Sequence, residues 1–205
     1  NSLTDDNDLA GMVRAVSESA GAPLVTGSIT FDGYSLEDHW AEGSARRALA
    51  TRRWDVVVLQ QGPSGLPESR VNLREWAVQW AAAIREAGAE PVLYMPWPDA
   101  SRMSAFDSVS LSYREAAAAA NARVIPGGEA WQAAWRRDPA LALYGSDAFH
   151  PSPLGSYVVA VAAWARITGG APAAAPQGVR AGITLRLDPA TANVVRQAVA
   201  EALAR

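Results

Sequence analysis

Cysteine is absent from these 205 residues. That excludes disulfides, thiolate catalysis and Cys-based zinc sites, while leaving the compartment open. Histidine is scarce: only His39 and His150 occur. A His-rich metal site is hard to build from two, and a His-dependent mechanism has two candidates. No uncharged apolar run approaches the roughly eighteen residues of a membrane span. The net charge is only −3 and the basic residues are scattered rather than striped, which argues against a nucleic-acid footprint. The chain begins at Asn1 rather than Met, with no visible targeting segment.

Hydrophobic residues make up 49% of the chain. At this length that suffices for one α/β domain spanning residues 1–205. The pattern alternates between strands and helices. Leu24 to Phe31 reads as a strand, and Ser35 to Leu49 as a helix with Leu36, Trp40 and Ala45 near helical spacing. Trp54 to Gln60 is a continuous Val/Leu run, as expected of a parallel strand covered on both faces. A helix over 72–87, a strand over 91–97, a helix over 108–122, a short strand over 123–126 and a short helix over 128–137 follow. Pro153 to Ile167 is a helix with Pro in its first turn and Gly169-Gly170 at its end. Residues 171–187 read as loop, and 188–204 as a last helix capped by Asp188. Such alternation predicts a parallel sheet with helices on both faces.

Two short segments carry candidate chemistry. Ser2 stands just before a polar cluster that reads as a helix start. The partial positive charge there favours an alkoxide, and the free N–H groups can hold an oxyanion. A serine in that place is also an ordinary cap. Near the other end lies Asp147-Ala148-Phe149-His150-Pro151-Ser152. An Asp and a His three apart on one tight loop let the carboxylate accept the Nδ1 proton, freeing Nε2 to act as base. The plainer reading is a turn Asp and a surface His.

Asn1-Ser2-Leu3-Thr4 resembles the Gly-Asn-Ser-[Leu/Phe]-Thr form of the first block of SGNH/GDSL hydrolases, without its leading Gly. Asp147 to Ser152, with Gly155, resembles that family's last block, Asp-x-x-His-Pro-Ser-x-x-Gly. The resemblance covers about residues 1–170 and implies a flavodoxin-like three-layer α/β/α sandwich. It implies Ser2 as nucleophile, Asp147 and His150 as its activating pair, and no metal or cofactor. Gly33 matches the second-block Gly whose N–H points at the oxyanion. The third block departs from the family pattern, because Gln60-Gln61-Gly62-Pro63-Ser64 contains no Asn. Gln60, Gln61 and Ser64 are the candidate replacements for that donor.

The family also leads into its nucleophile with a central apolar strand, which is not present ahead of Ser2 here. The expected fold therefore lacks its first strand, and restoring such a strand should raise stability. Trp97, at the end of the 91–97 strand, is a candidate for stacking on a sugar face, with core packing as the alternative. His39 reads as a packed or surface helix residue, and Asp5, Asp6 and Asp8 as helix-start residues rather than a metal cluster.

The expected activity is hydrolysis of a short-chain acyl ester by a serine esterase. Acetyl groups on carbohydrate are the favoured substrate, since no long apolar lid segment is evident. The alternative is a catalytically weak or inactive domain of the same fold that binds rather than reacts. A metal-dependent phosphatase built on Asp5, Asp6 and Asp147 is a remote third.

Overall fold

The structure, a computed structural model, describes residues 1–205. Its sheet has three parallel strands in the order β1 (Val56–Leu59), β2 (Glu90–Tyr94), β3 (Arg123–Ile125). Each crossover is a helix: α5 (Pro67–Glu86) joins β1 to β2, and α6 (Phe106–Ala120) joins β2 to β3. Successive residues of β2 point to opposite faces, so it feeds two separate cores. Val92 and Tyr94 join one; Leu93 joins the other.

The Leu93 side is built on α5 and α6, with Leu73, Trp80 and Ile84 from the first and Val109 and Tyr113 from the second. The Tyr94 side is larger. It collects α2 (Leu9–Ser19), α7 (Gly127–Arg137), α8 (Pro153–Thr168) and α9 (Pro189–Leu203). Helix α8 is buried along almost its whole length, from Gly155 to Ala165. Its ends are chemically marked. The Ser152 hydroxyl accepts from the Gly155 N–H, Pro153 occupies the first turn, and Gly169 takes the left-handed conformation at φ 76°.

Four expectations need correction. The 24–31 segment forms no strand; residues 22–31 have no regular structure. A strand exists only where another lends hydrogen bonds, and the free edge of β1 faces a cavity instead. Val25 is consequently 77% exposed. The 35–49 helix is two helices, α3 (Leu36–Glu42) and α4 (Ser44–Thr51), because Gly43 adopts φ 88° and breaks the hydrogen-bond ladder. The run at β1 is not covered on both faces, since Val58 is 40% exposed. Finally, the 171–187 segment contains an antiparallel hairpin, β4 (Gly178–Arg180) with β5 (Thr184–Arg186).

The cavity beside β1 measures about 460 Å³ and is mainly apolar, lined among others by Leu9, Val13, Val56, Val58, Ile125 and Val159. It is a groove along an unpaired parallel edge, an arrangement that parallel sheets ordinarily cover. No helix is long and apolar enough to cross a membrane.

Candidate functional site

Asn1 begins the site. Its side-chain oxygen accepts from the Leu3 N–H at 3.2 Å, capping the short helix α1 (Ser2–Asp5) and placing Ser2 in its first position. Its side-chain amide donates to the Tyr34 carbonyl at 3.1 Å. One residue therefore ties the Ser2 turn to the turn that carries Gly33. The Asn1 backbone nitrogen is itself buried and donates to Gln60 Oε1 at 3.1 Å.

Ser2 meets the opposite end of the chain. Its Oγ lies 3.0 Å from His150 Nε2, and His150 Nδ1 lies 2.5 Å from Asp147 Oδ2. The loop is bent for this contact. Ala148 holds φ 63°, a left-handed conformation that costs an alanine energy. The bend folds the Asp147 carboxylate back, so that Oδ1 also accepts from the N–H groups of Phe149 and His150 at 3.0 and 2.9 Å. These bonds, with that to the His150 side chain first among them, lower the Asp147 pKa to about 2. The carboxylate is thus ionised throughout the range in which an imidazole serves as base, and it holds the Nδ1 proton in place.

A cleft of about 400 Å³ opens beside Ser2. Gly33, Ser35, Gln61, Ser64, Ser69 and Asn72 contribute polar lining, and Phe149 forms part of the wall. Gly33 sits in the turn before α3 at φ 72°. The N–H groups of Ser2, Gly33 and Gly62, all residues of this cleft, have no acceptor within the protein.

The three side-chain donors expected from the third block are differently placed. Gln60 Oε1 accepts from the Asn1 backbone nitrogen and the Thr4 hydroxyl, and its amide donates to the Gln61 carbonyl. Gln61 Oε1 accepts from the Leu36 N–H, and its amide donates to Ser64 Oγ. Ser64, at φ 56°, donates in turn to the Gly62 carbonyl. All three are buried and bonded to the protein itself. Their work here is to brace the loop after β1.

Trp97 is also corrected. Its side chain has 0% exposure and stacks on Trp131, so it presents no face to a ligand. Its Nε1–H donates to the Phe149 carbonyl at 2.9 Å, which steadies the His150 loop from the core side. His39 is buried between Phe31 and Tyr34, and burial lowers its pKa, which disfavours the charged imidazolium. Asp8 accepts from the N–H groups of Gly11 and Gly182, and Asp5 from the Thr30 hydroxyl. No group of three or more His, Asp or Glu side chains is arranged to hold a metal ion. Sequence reasoning missed the brace made by the Asn1 side chain and the place of Asn72 in the cleft. An Asn directly ahead of a helix start is a capping signal, which made the first of these legible in principle.

No protein-family model matches the chain, and no curated protein matches it in sequence. Among solved structures it is similar to a DUF4886 family protein from Bacteroides uniformis. The TM-score is 0.81 at 20% identity, covering 100% of this chain and 92% of that one. It is also similar to a protein from Slackia heliotrinireducens described as "a putative SGNH hydrolase". There the TM-score is 0.63 at 27% identity, covering 82% of this chain and 95% of the other. The chain thus has an SGNH-like fold, a mixed α/β arrangement around a parallel three-stranded sheet, and the Slackia neighbour supports a hydrolase of that fold.

Proposed function

We propose that this protein is a serine esterase of the SGNH type that removes a small acyl group from a polar alcohol. The observation that carries the reading is the chain of contacts Ser2 Oγ–His150 Nε2–Asp147, at 3.0 and 2.5 Å. In this reading the domain is a flavodoxin-like three-layer α/β/α sandwich with one strand position, beside β1, left open.

Ser2 Oγ attacks the ester carbonyl carbon while its proton passes to His150 Nε2. The tetrahedral intermediate collapses, the C–O bond to the alcohol breaks, and His150 returns the proton to the departing oxygen. Water then attacks the acyl-serine, again giving a proton to Nε2. The second intermediate collapses, the bond from carbon to Ser2 Oγ breaks, His150 returns its proton to that oxygen, and the carboxylic acid leaves. The free N–H groups of Ser2, Gly33 and Gly62 are the donors assigned to the oxyanion. Gly62 takes the place of a side-chain donor, since the amides of Gln60 and Gln61 are already bonded within the protein. Ser35, Ser69 and Asn72 at the cleft supply hydroxyl and amide groups for a hydrophilic alcohol such as a sugar, and a volume of about 400 Å³ suits a short acyl group such as acetyl.

The engaged amides favour a second reading, a binding domain of low or no turnover, because a lost oxyanion donor typically costs about a hundredfold or more. Turnover of p-nitrophenyl acetate and labelling by a fluorophosphonate probe separate the two. The esterase reading expects label on Ser2 and loss of turnover by about three orders of magnitude or more in Ser2→Ala. An unlabelled, inert wild-type chain supports the binding domain.

A further inference from the structure

We propose that Asn7 is a positioning residue that sets the contact between Ser2 and His150; the inference rests on the esterase reading above. Ser2 and His150 approach across 148 positions of sequence, so something other than local chain geometry must hold them at 3.0 Å. Between residues 1–9 and residues 143–156, the structure contains three hydrogen bonds. One is the Ser2–His150 contact itself. The other two both come from the Asn7 side-chain amide, which donates to the Pro151 carbonyl at 2.9 Å and to Ser156 Oγ at 2.9 Å.

Each acceptor is well chosen for the task. Pro151 follows His150 directly, and its ring fixes φ, which removes one of the backbone rotations between the histidine and that carbonyl. Ser156 is buried in the first turns of α8, and its N–H donates to the Ser152 carbonyl at 2.9 Å. Asn7 thereby fastens the end of the His150 loop and the start of α8 to the segment bearing the nucleophile. The loop is held elsewhere from its far side, by Trp97 on the Phe149 carbonyl, by the Ala100 N–H on the Ala148 carbonyl at 2.9 Å and by the Gly145 N–H on the His150 carbonyl at 2.7 Å. None of those bonds refers to Ser2.

The backbone at Asn7 supports the assignment. It stands at φ 59°, ψ 17°, in the middle of the 3₁₀ turn Asp6–Asp8 that precedes α2. Asn is among the few non-glycine residues that accept this conformation readily. The turn aims the amide back across the Ser2 helix toward residue 151, while a shift of about 1 Å at a reacting contact costs about a hundredfold in rate.

Three variants test this: Asn7→Gly, Asn7→Asp and Ser156→Ala. Glycine and aspartate both accept the backbone conformation, and both lack the amide protons. Ser156→Ala removes the α8 bond but leaves the bond to Pro151. For each we would measure the second-order rate of fluorophosphonate labelling, kcat and KM on p-nitrophenyl acetate, and Tm. The expected result is a fall of about tenfold or more in labelling rate and kcat for both Asn7 variants with KM nearly unchanged. Ser156→Ala should lose less rate than either Asn7 variant, because the bond from Asn7 to the Pro151 carbonyl remains, whatever its Tm. A labelled wild type with Asn7→Gly reacting at the same rate overturns this role alone. So does a Ser156→Ala variant that loses as much rate as Asn7→Gly, since the loss would then follow stability. A wild-type chain that takes no label and turns over no ester overturns the esterase reading, and this role with it.

Discussion

The indole of Trp97 lies on the indole of Trp131 with ring centroids 3.5 Å apart and planes 12° from parallel. The pair sits between β2 and α7, and its outer edge reaches the loop that carries His150, through the Trp97 bond to the Phe149 carbonyl. Trp131 is fixed from the other side, donating to the Gly155 carbonyl at 3.1 Å. A core packing feature and the loop that carries His150 are therefore one unit.

Removing that unit should act on stability first. Trp97→Ala deletes a fully buried ring, and a cost of about 3–5 kcal/mol is expected in urea unfolding. Trp97→Phe keeps much of the apolar contact but frees the Phe149 carbonyl. It should cost less stability and still slow fluorophosphonate labelling. A Trp97→Phe variant that labels at the wild-type rate would show that this bond does not steady His150.

Gly155 is required by contact rather than by backbone conformation. A Cβ there would fall 2.2 Å from the Leu143 carbonyl oxygen and 2.5 Å from Trp131 Cζ2. Neither backbone nor a stacked indole can yield cheaply. Gly155→Ala should destabilise by about 1–3 kcal/mol, the range for overpacking a filled core. An unchanged unfolding midpoint would mean that α8 can move away from Trp131.

Gln60 and Gln61 should behave as braces. Truncating Gln61 strips the Leu36 N–H of its acceptor and Ser64 Oγ of its donor, and a buried unsatisfied group costs about 1–3 kcal/mol. Gln60→Ala and Gln61→Ala should therefore lower Tm, with kcat falling far less than the hundredfold loss of an oxyanion donor. A hundredfold fall in kcat at unchanged Tm would return the side-chain amide to the oxyanion hole.

The apolar groove beside β1 should accept a strand. Joining a segment of about five Val, Ile or Leu residues ahead of Asn1 would pair the free edge of β1 and cover Val58. Tm should rise, and a Gly/Ser segment of the same length should leave it unchanged. Equal melting temperatures for the two fusions would count against a strand site in that groove.

Glu201 on α9 binds Arg136 and Arg137 of α7, each at 2.6 Å. Those bonds lower its pKa from an ordinary 4.5 to about 2. A depressed carboxylate pKa contributes stability above the unfolded value, and that contribution disappears as pH falls through the folded value. Asp147, lowered from 3.8 to about 2, has the same sign. Glu201→Gln should therefore melt below wild type at pH 7, with the two curves converging between about pH 4.5 and pH 2. A constant gap across that window would show that the pairs contribute nothing that titrates. The exposed position of these groups keeps the effect small.

Elements with both ends marked were legible in the sequence. Helix α8 announced itself with Pro153 and the Gly169-Gly170 pair, and β2 with a compact apolar run, because end signals and periodicity act within a few residues. Ser2, Asp147 and His150 were legible as residue types in order. The 24–31 segment was not, because its apolar residues satisfy a strand pattern whether or not a partner edge exists. Trp97 was placed at a ligand edge by strand position, yet what it faces was set by Trp131, thirty-four positions away.

The sequence by itself determined the limits of α8 and α9, the strand–helix alternation from β1 to β3, and the chemical types present at the candidate site. Only the tertiary structure decided that Ser2 Oγ and His150 Nε2 stand 3.0 Å apart, that Asn7 pins the two segments together, and that both glutamines face inward. Those facts depend on contacts between residues dozens to more than a hundred positions apart. Their geometry is fixed by packing and hydrogen bonding in three dimensions, which no local pattern encodes.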